Sequence, residues 1–182
     1  MTVMLIRHTR LAAMARGVCY GRSEMPLAET FAVEAEQVRA ELPWPPEAIW
    51  SSPAQRCRAL AELLNGPLAA INPAVRPKLD VRLTELDFGA WEGRRWDDLK
   101  GPDVERWMQD PWRSRPPGGE TAEELVARVR GFRDELLATP RLERVAVVTH
   151  AGVIRAWRSL AEGIPLAEAF AQPVAHGGVS IF

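Results

Sequence analysis

The chain has 182 residues, 47% hydrophobic and 26% charged, enough for one ordinary domain with a sizeable core and too few for two independent catalytic domains. Its 23 Lys+Arg against 24 Asp+Glu leave a net charge of -1, which excludes a nucleic-acid-coating or polybasic membrane surface as the main function. Any anion site must be local, and all the cations except Lys78 and Lys100 are arginine, whose planar fork suits phosphate and carboxylate.

In chain order, Val3 to Ile6 reads as a buried strand: four apolar residues, too short for a buried helix or a membrane span. No export signal is expected at this end, so a soluble cytoplasmic protein is the expectation. Two cysteines, Cys19 and Cys57, are too few for a disulfide framework and are expected to be free thiols. Ala28 to Leu42 carries Phe31, Ala32, Ala35, Val38 and Leu42 on one helical face, and Pro43, Pro45 and Pro46 stop it. Ala48 to Ser51 is a second strand. Ser52-Pro53 then opens a helix to about Leu64, which Asn65-Gly66-Pro67 is expected to close.

The stretch from Gly89 to Gly119 is different, with Trp91, Trp96, Trp107 and Trp112, several arginines and a Pro116-Pro117-Gly118-Gly119 turn. It reads as a helical and loop insertion, about 89–119, capping the carboxyl ends of the strands. A capping box, Thr121 to Glu124, opens a long helix whose buried stripe is Leu125, Val126, Val129, Phe132 and Leu136. Val145 to Val148 is a third strand and Val179 to Phe182 a closing one. The alternation predicts an α/β fold: one domain, 1–182, with a mostly parallel central sheet flanked by helices on both faces.

Ligands in such sheets gather outside the carboxyl ends of the strands. There the sequence places Arg7-His8, Ser51-Ser52-Pro53 with Arg56, and Thr149-His150. Two histidines and two arginines would converge at one sheet edge, and the helix starting near Pro53 would add amide donors for an anion.

Five segments in order carry a resemblance: Leu5-Ile6-Arg7-His8-Thr9, Ser51-Ser52-Pro53-Ala54-Gln55-Arg56, Glu85-Leu86-Asp87-Phe88-Gly89-Ala90-Trp91-Glu92-Gly93, Gly118-Gly119-Glu120-Thr121 and Val147-Val148-Thr149-His150-Ala151-Gly152. Together they resemble the histidine phosphatase superfamily, the phosphoglycerate-mutase-like proteins. The segment Gly17 to Leu27 is similar to the α-ribazole-phosphatase-type subgroup. Thr9 and Arg10 stand where Gly-Glu is commoner in the family, and Leu60 replaces a frequent threonine.

The resemblance implies a phosphomonoesterase working through a phosphohistidine, with no cofactor or metal. His8 would be the nucleophile and Glu85 the general acid and base. Arg7, Arg56 and His150 would bind the phosphate, and Tyr20 and Gly21 the rest of the substrate. Asp87 and Glu92 remain alternatives for the acid. The partner expected is a small-molecule phosphate ester, with neither nucleic acid nor membrane; the tryptophan-rich insertion suits an aromatic or nucleoside-like ester such as α-ribazole 5′-phosphate. Competing readings are a phosphoglycerate mutase, which in this family is generally longer, a non-catalytic phospho-ligand binder, and a metal hydrolase built on His8, His150, His176 and Glu85. A permanent cation at Arg7 disfavours the last. His176 is expected at the pocket rim or in solvent, and Cys19 near the mouth of the site.

Overall fold

The structure is a computed structural model that describes residues 1–72 and 75–182. Five strands form one sheet in the order β3-β2-β4-β1-β5: β1 (Thr2–Arg7), β2 (Ala48–Ser51), β3 (Lys78–Leu79), β4 (Arg144–Thr149) and β5 (Val179–Ile181). The first four are mutually parallel and β5 runs antiparallel against β1. Parallel strands need crossovers, and the crossovers cover both faces, which is why β1 and β4 are apolar almost throughout.

Alternate residues of β1 serve two cores. Val3 and Leu5 join Val145 and Val147 against α4 (Ala122–Leu137) and α5 (Ala151–Glu162), with Leu125, Val129, Phe132 and Trp157 as the bulk. Met4 and Ile6 join Ala146, Val148 and Ile49 against α1 (Phe31–Glu41) and α2 (Gln55–Ile71). The remaining helices are α3 (Pro102–Gln109) and α6 (Leu166–Ala171). α4 begins at the expected capping box, with Thr121 and Glu124 each satisfying the other's backbone amide.

Two helix boundaries differ from expectation. α1 starts at Phe31, not Ala28, because Leu27 bridges to Leu11 and the Ala28 amide is committed to the carbonyl of Arg10. α2 runs through Asn65-Gly66-Pro67 to Ile71. Proline inside a helix forfeits a hydrogen bond, but Leu68 beyond it packs against the second core and the ladder resumes, with the Asn72 amide on the carbonyl of Leu68. Asn65 is no stop either: it faces inward and donates to the carbonyl of Val75.

Register fixes where the site lies. Arg7 pairs with Thr149 and Ser51 with Val148, so β1, β2 and β4 end level with one another. The residues that follow each strand, His8, Ser52 and His150, are therefore neighbours. Among the described residues no helix is long and apolar enough to cross a membrane.

Candidate active site

His8 extends β1 by one rung, its amide donating to the carbonyl of Thr149 at 3.0 Å, while the Gly177 amide closes on the carbonyls of Arg7 and His8. The ring is buried, with centroids 5.3 Å from His150 and 5.4 Å from His176. Nδ1 lies 2.8 Å from the carbonyl of Thr9, an acceptor only, so Nδ1 carries the hydrogen and Nε2 keeps its lone pair. Burial, with Arg56 and Arg7 adding like charge, holds the His8 pKa well below the ordinary imidazole value. A neutral imidazole with a free Nε2 can act as a nucleophile.

His150 caps β4 and starts α5. Its Nδ1 faces the Nε–H of Arg56 at 3.4 Å, so the Nε2 hydrogen points to the hydroxyl of Ser52 at 2.8 Å. Burial and then Arg56 depress its pKa well below the usual range, so it too is neutral. The Arg56 side chain is wholly enclosed and donates to the carbonyls of Ser23 (2.9 Å) and Gly21 (2.7 Å). Gly21 has no alternative there, since a Cβ would stand 1.8 Å from the carbonyl of Leu86. Tyr20 lies against Arg56, 5.7 Å from ring centre to guanidinium carbon, and beside Arg7. Arg7 donates to the carbonyl of Val174 at 2.5 Å and its buried Nε has no protein partner, which leaves a donor for an anion.

Glu85 follows the short turn Val81–Leu83 and lies across the start of α5. Its two oxygens accept from the amides of Leu86 (2.9 Å) and Gly152 (3.2 Å). Position 152 must be glycine for this, as a Cβ would fall 2.1 Å from a Glu85 oxygen. The two alternative acids are occupied. Glu92 accepts from the amides of Arg22, Ser23 and Phe88 and from the Ser23 hydroxyl; Asp87 accepts from the Gly89 amide and pairs with Arg22. The anion site expected at the α2 N-terminus is also taken, because the Gln55 amide donates to Glu24.

Two cavities meet at Glu85. One, about 170 Å³, is lined by Arg56, His150, Gly21, Thr84 and Glu85 among others. The second, about 260 Å³, is walled by Phe88, Trp107, Pro111, Trp112 and Phe170, with Arg155 and Glu85 as its polar members. Trp107 and Trp112 come from the tryptophan-rich stretch. Trp96 stacks behind Trp107 and Trp91 is buried in a small cluster with Cys19, so neither lines the cavity. Cys19 is enclosed and burial pushes its thiol up to about 12, which makes it inert.

Sequence reasoning missed Arg155, whose position one α-helical turn after Gly152 was the available signal; His176, expected at the pocket rim or in solvent, is exposed and lies beside His8. Burial and then Arg7 lower the His176 pKa to about 4. Among the described residues no three His, Cys, Asp or Glu side chains converge as a metal site requires.

Residues 3–182 match the family model of the histidine phosphatase superfamily, branch 1. The 2,3-bisphosphoglycerate-dependent phosphoglycerate mutase of Rhizobium etli is 32% identical over 179 residues, covering 90% of this chain and 79% of that protein. The adenosylcobalamin/alpha-ribazole phosphatase of Salmonella typhimurium is 29% identical over 159 residues, 85% of this chain and 76% of that protein. A group of mycobacterial proteins, one of them named bifunctional, is 37% identical over 111 residues; the match takes in 59% of this chain and 29% of their length. In fold, the alpha-ribazole phosphatase from Shigella flexneri superposes with a TM-score of 0.87 at 24% identity, over 100% of this chain and 89% of that one. With the family match running from the first strand to the last residue, this chain belongs to the histidine phosphatase superfamily, branch 1.

Proposed function

We propose that the protein is a phosphomonoesterase that works through a phosphohistidine. His8 Nε2 attacks phosphorus and the ester oxygen departs. Glu85 gives that oxygen its proton, and then takes one from the water that hydrolyses the phosphohistidine, so His8 returns free and inorganic phosphate leaves. Arg7, Arg56 and His150 face the equatorial oxygens, where charge must be stabilised without rearrangement.

The observation that carries this reading is Glu85's place between the two cavities. An acid there touches the bridging oxygen of an ester whose phosphate lies at the Arg56 and His150 wall of the first cavity, beside the His8 ring that packs on His150, and whose organic part fills the second. The second is apolar and aromatic, which suits a flat leaving group, and α-ribazole 5′-phosphate is the substrate proposed. Tyr20 and Gly21 border the phosphate side. The likeness to the Salmonella phosphatase supports this choice.

The test compares kcat/KM for α-ribazole 5′-phosphate, 3-phosphoglycerate and a fructose bisphosphate, with Trp107→Ala and Trp112→Ala alongside. The aromatic ester should be preferred, and each truncation should cost it about 10-fold, roughly the value of one aromatic contact. Preference for 3-phosphoglycerate with phosphoryl transfer to a second glycerate would establish the mutase reading instead.

A further inference from the structure

Arg128 of α4 has a different position from the phosphate-facing arginines. Its guanidinium uses all five N–H groups inside the protein. Nε and Nη2 hold the two oxygens of Glu120 (2.7 and 2.9 Å), Nη1 holds the carbonyls of Arg82 and Thr84 (both 2.7 Å), and Nη2 holds the carbonyl of Glu85 (3.0 Å). Three carbonyls of the segment that presents Glu85 thus aim at one cation. That segment has no sheet or long helix to set it, and the Glu85 carboxylate itself has only the Leu86 and Gly152 amides to orient it. Glu120 extends the grip: it also faces Arg22 and the Asp87 amide at 3.4 Å. Arg22 lies between Gly21 and Ser23, whose carbonyls hold Arg56.

We propose that Arg128, charge-paired with Glu120, is the positioning residue for Glu85, clamping its backbone so that the carboxyl group meets the leaving oxygen. This rests on the assignment of Glu85 as the acid. Lysine would keep the charge, but a single nitrogen cannot span three carbonyls and a carboxylate, so Arg128→Lys isolates the fork from the charge.

The discriminating measurement is the dependence on leaving group, since an activated aryl phosphate departs without a proton and an alkyl phosphate does not. Steady-state kinetics of Arg128→Lys, Glu120→Gln and Glu85→Gln would be measured with p-nitrophenyl phosphate and with an alkyl phosphate, beside thermal unfolding of each. Arg128→Lys should lower kcat/KM, which reports the phosphorylation step alone, by about 30-fold or more for the alkyl ester and by no more than about 3-fold for the aryl ester. Glu120→Gln, which keeps the side-chain shape, should show the same selectivity at about 5-fold, and carries the test if the lysine variant fails to fold. Equal losses of kcat/KM on both esters would overturn the positioning role while Glu85→Gln still discriminates between the esters. If Glu85→Gln does not discriminate, the acid assignment falls and this proposal with it.

Discussion

His8 keeps its Nδ1 hydrogen on the carbonyl of Thr9, and in the proposed mechanism that single bond decides which nitrogen reacts. Only Nε2 is then open to the phosphoryl group, so rapid quenching during turnover should trap an acid-labile, base-stable label that amino-acid analysis identifies as the Nε2 isomer. His8→Ala should lose the label and all but about one part in 10⁴ of the activity, since it removes the nucleophile itself. An Nδ1 label, or full turnover in the variant, would contradict the geometry. His8 and His150 could be placed from the sequence because each sits one step beyond a strand, where a short apolar run and its polar successor are both visible. Arg128 and Arg155 could not. They reach the site from α4 and α5, by packing that joins distant parts of the chain, and no local pattern marks which flank of a helix will meet them.

At the scale of elements, the start of α5 is where backbone and acid share one space. A methyl group at Gly152 would push against the Glu85 carboxylate, a movable side-chain end, and not against a fixed backbone. Gly152→Ala should therefore leave stability unchanged or raise it by up to about 1 kcal/mol, as alanine favours a helix over glycine. Hydrolysis of an alkyl phosphate should fall about 100-fold, in proportion to the lost acid. Thermal unfolding and kinetics on the same preparation would check both; parallel loss of fold and activity would mean the contact is structural only. Helix ends show where sequence reading falls short. Thr121 and Glu124 set the start of α4 through bonds between near neighbours, so the capping box was readable. The overrun of α2 past Pro67 was not, because Leu68 gains its core contacts only in the assembled fold.

For the whole molecule, all three histidines of the chain lie in this one site and all three have lowered pKa values, with burial the leading cause. In the unfolded chain they take up protons near about pH 6.5, whereas in the fold they resist. Unfolding therefore binds protons below that point, and stability falls as pH drops below about 6.5, chiefly through the buried His8 and His150. The melting temperature should decline as the pH falls below about 6.5. A melting temperature that rises on acidification would contradict the sign. The sheet order carries a further consequence, for timing. β1 carries Arg7 and His8, yet both its neighbours in the sheet, β4 and β5, follow it by more than a hundred residues. Until β4 pairs with β1, His8 cannot stand beside His150, so the proposed hydrolysis awaits closure of the sheet. After dilution from denaturant, return of helical circular dichroism should precede return of activity, and activity should follow the slowest phase of tryptophan fluorescence, because strand pairings distant in sequence form late. The return of the proposed activity would therefore time the closing of the sheet.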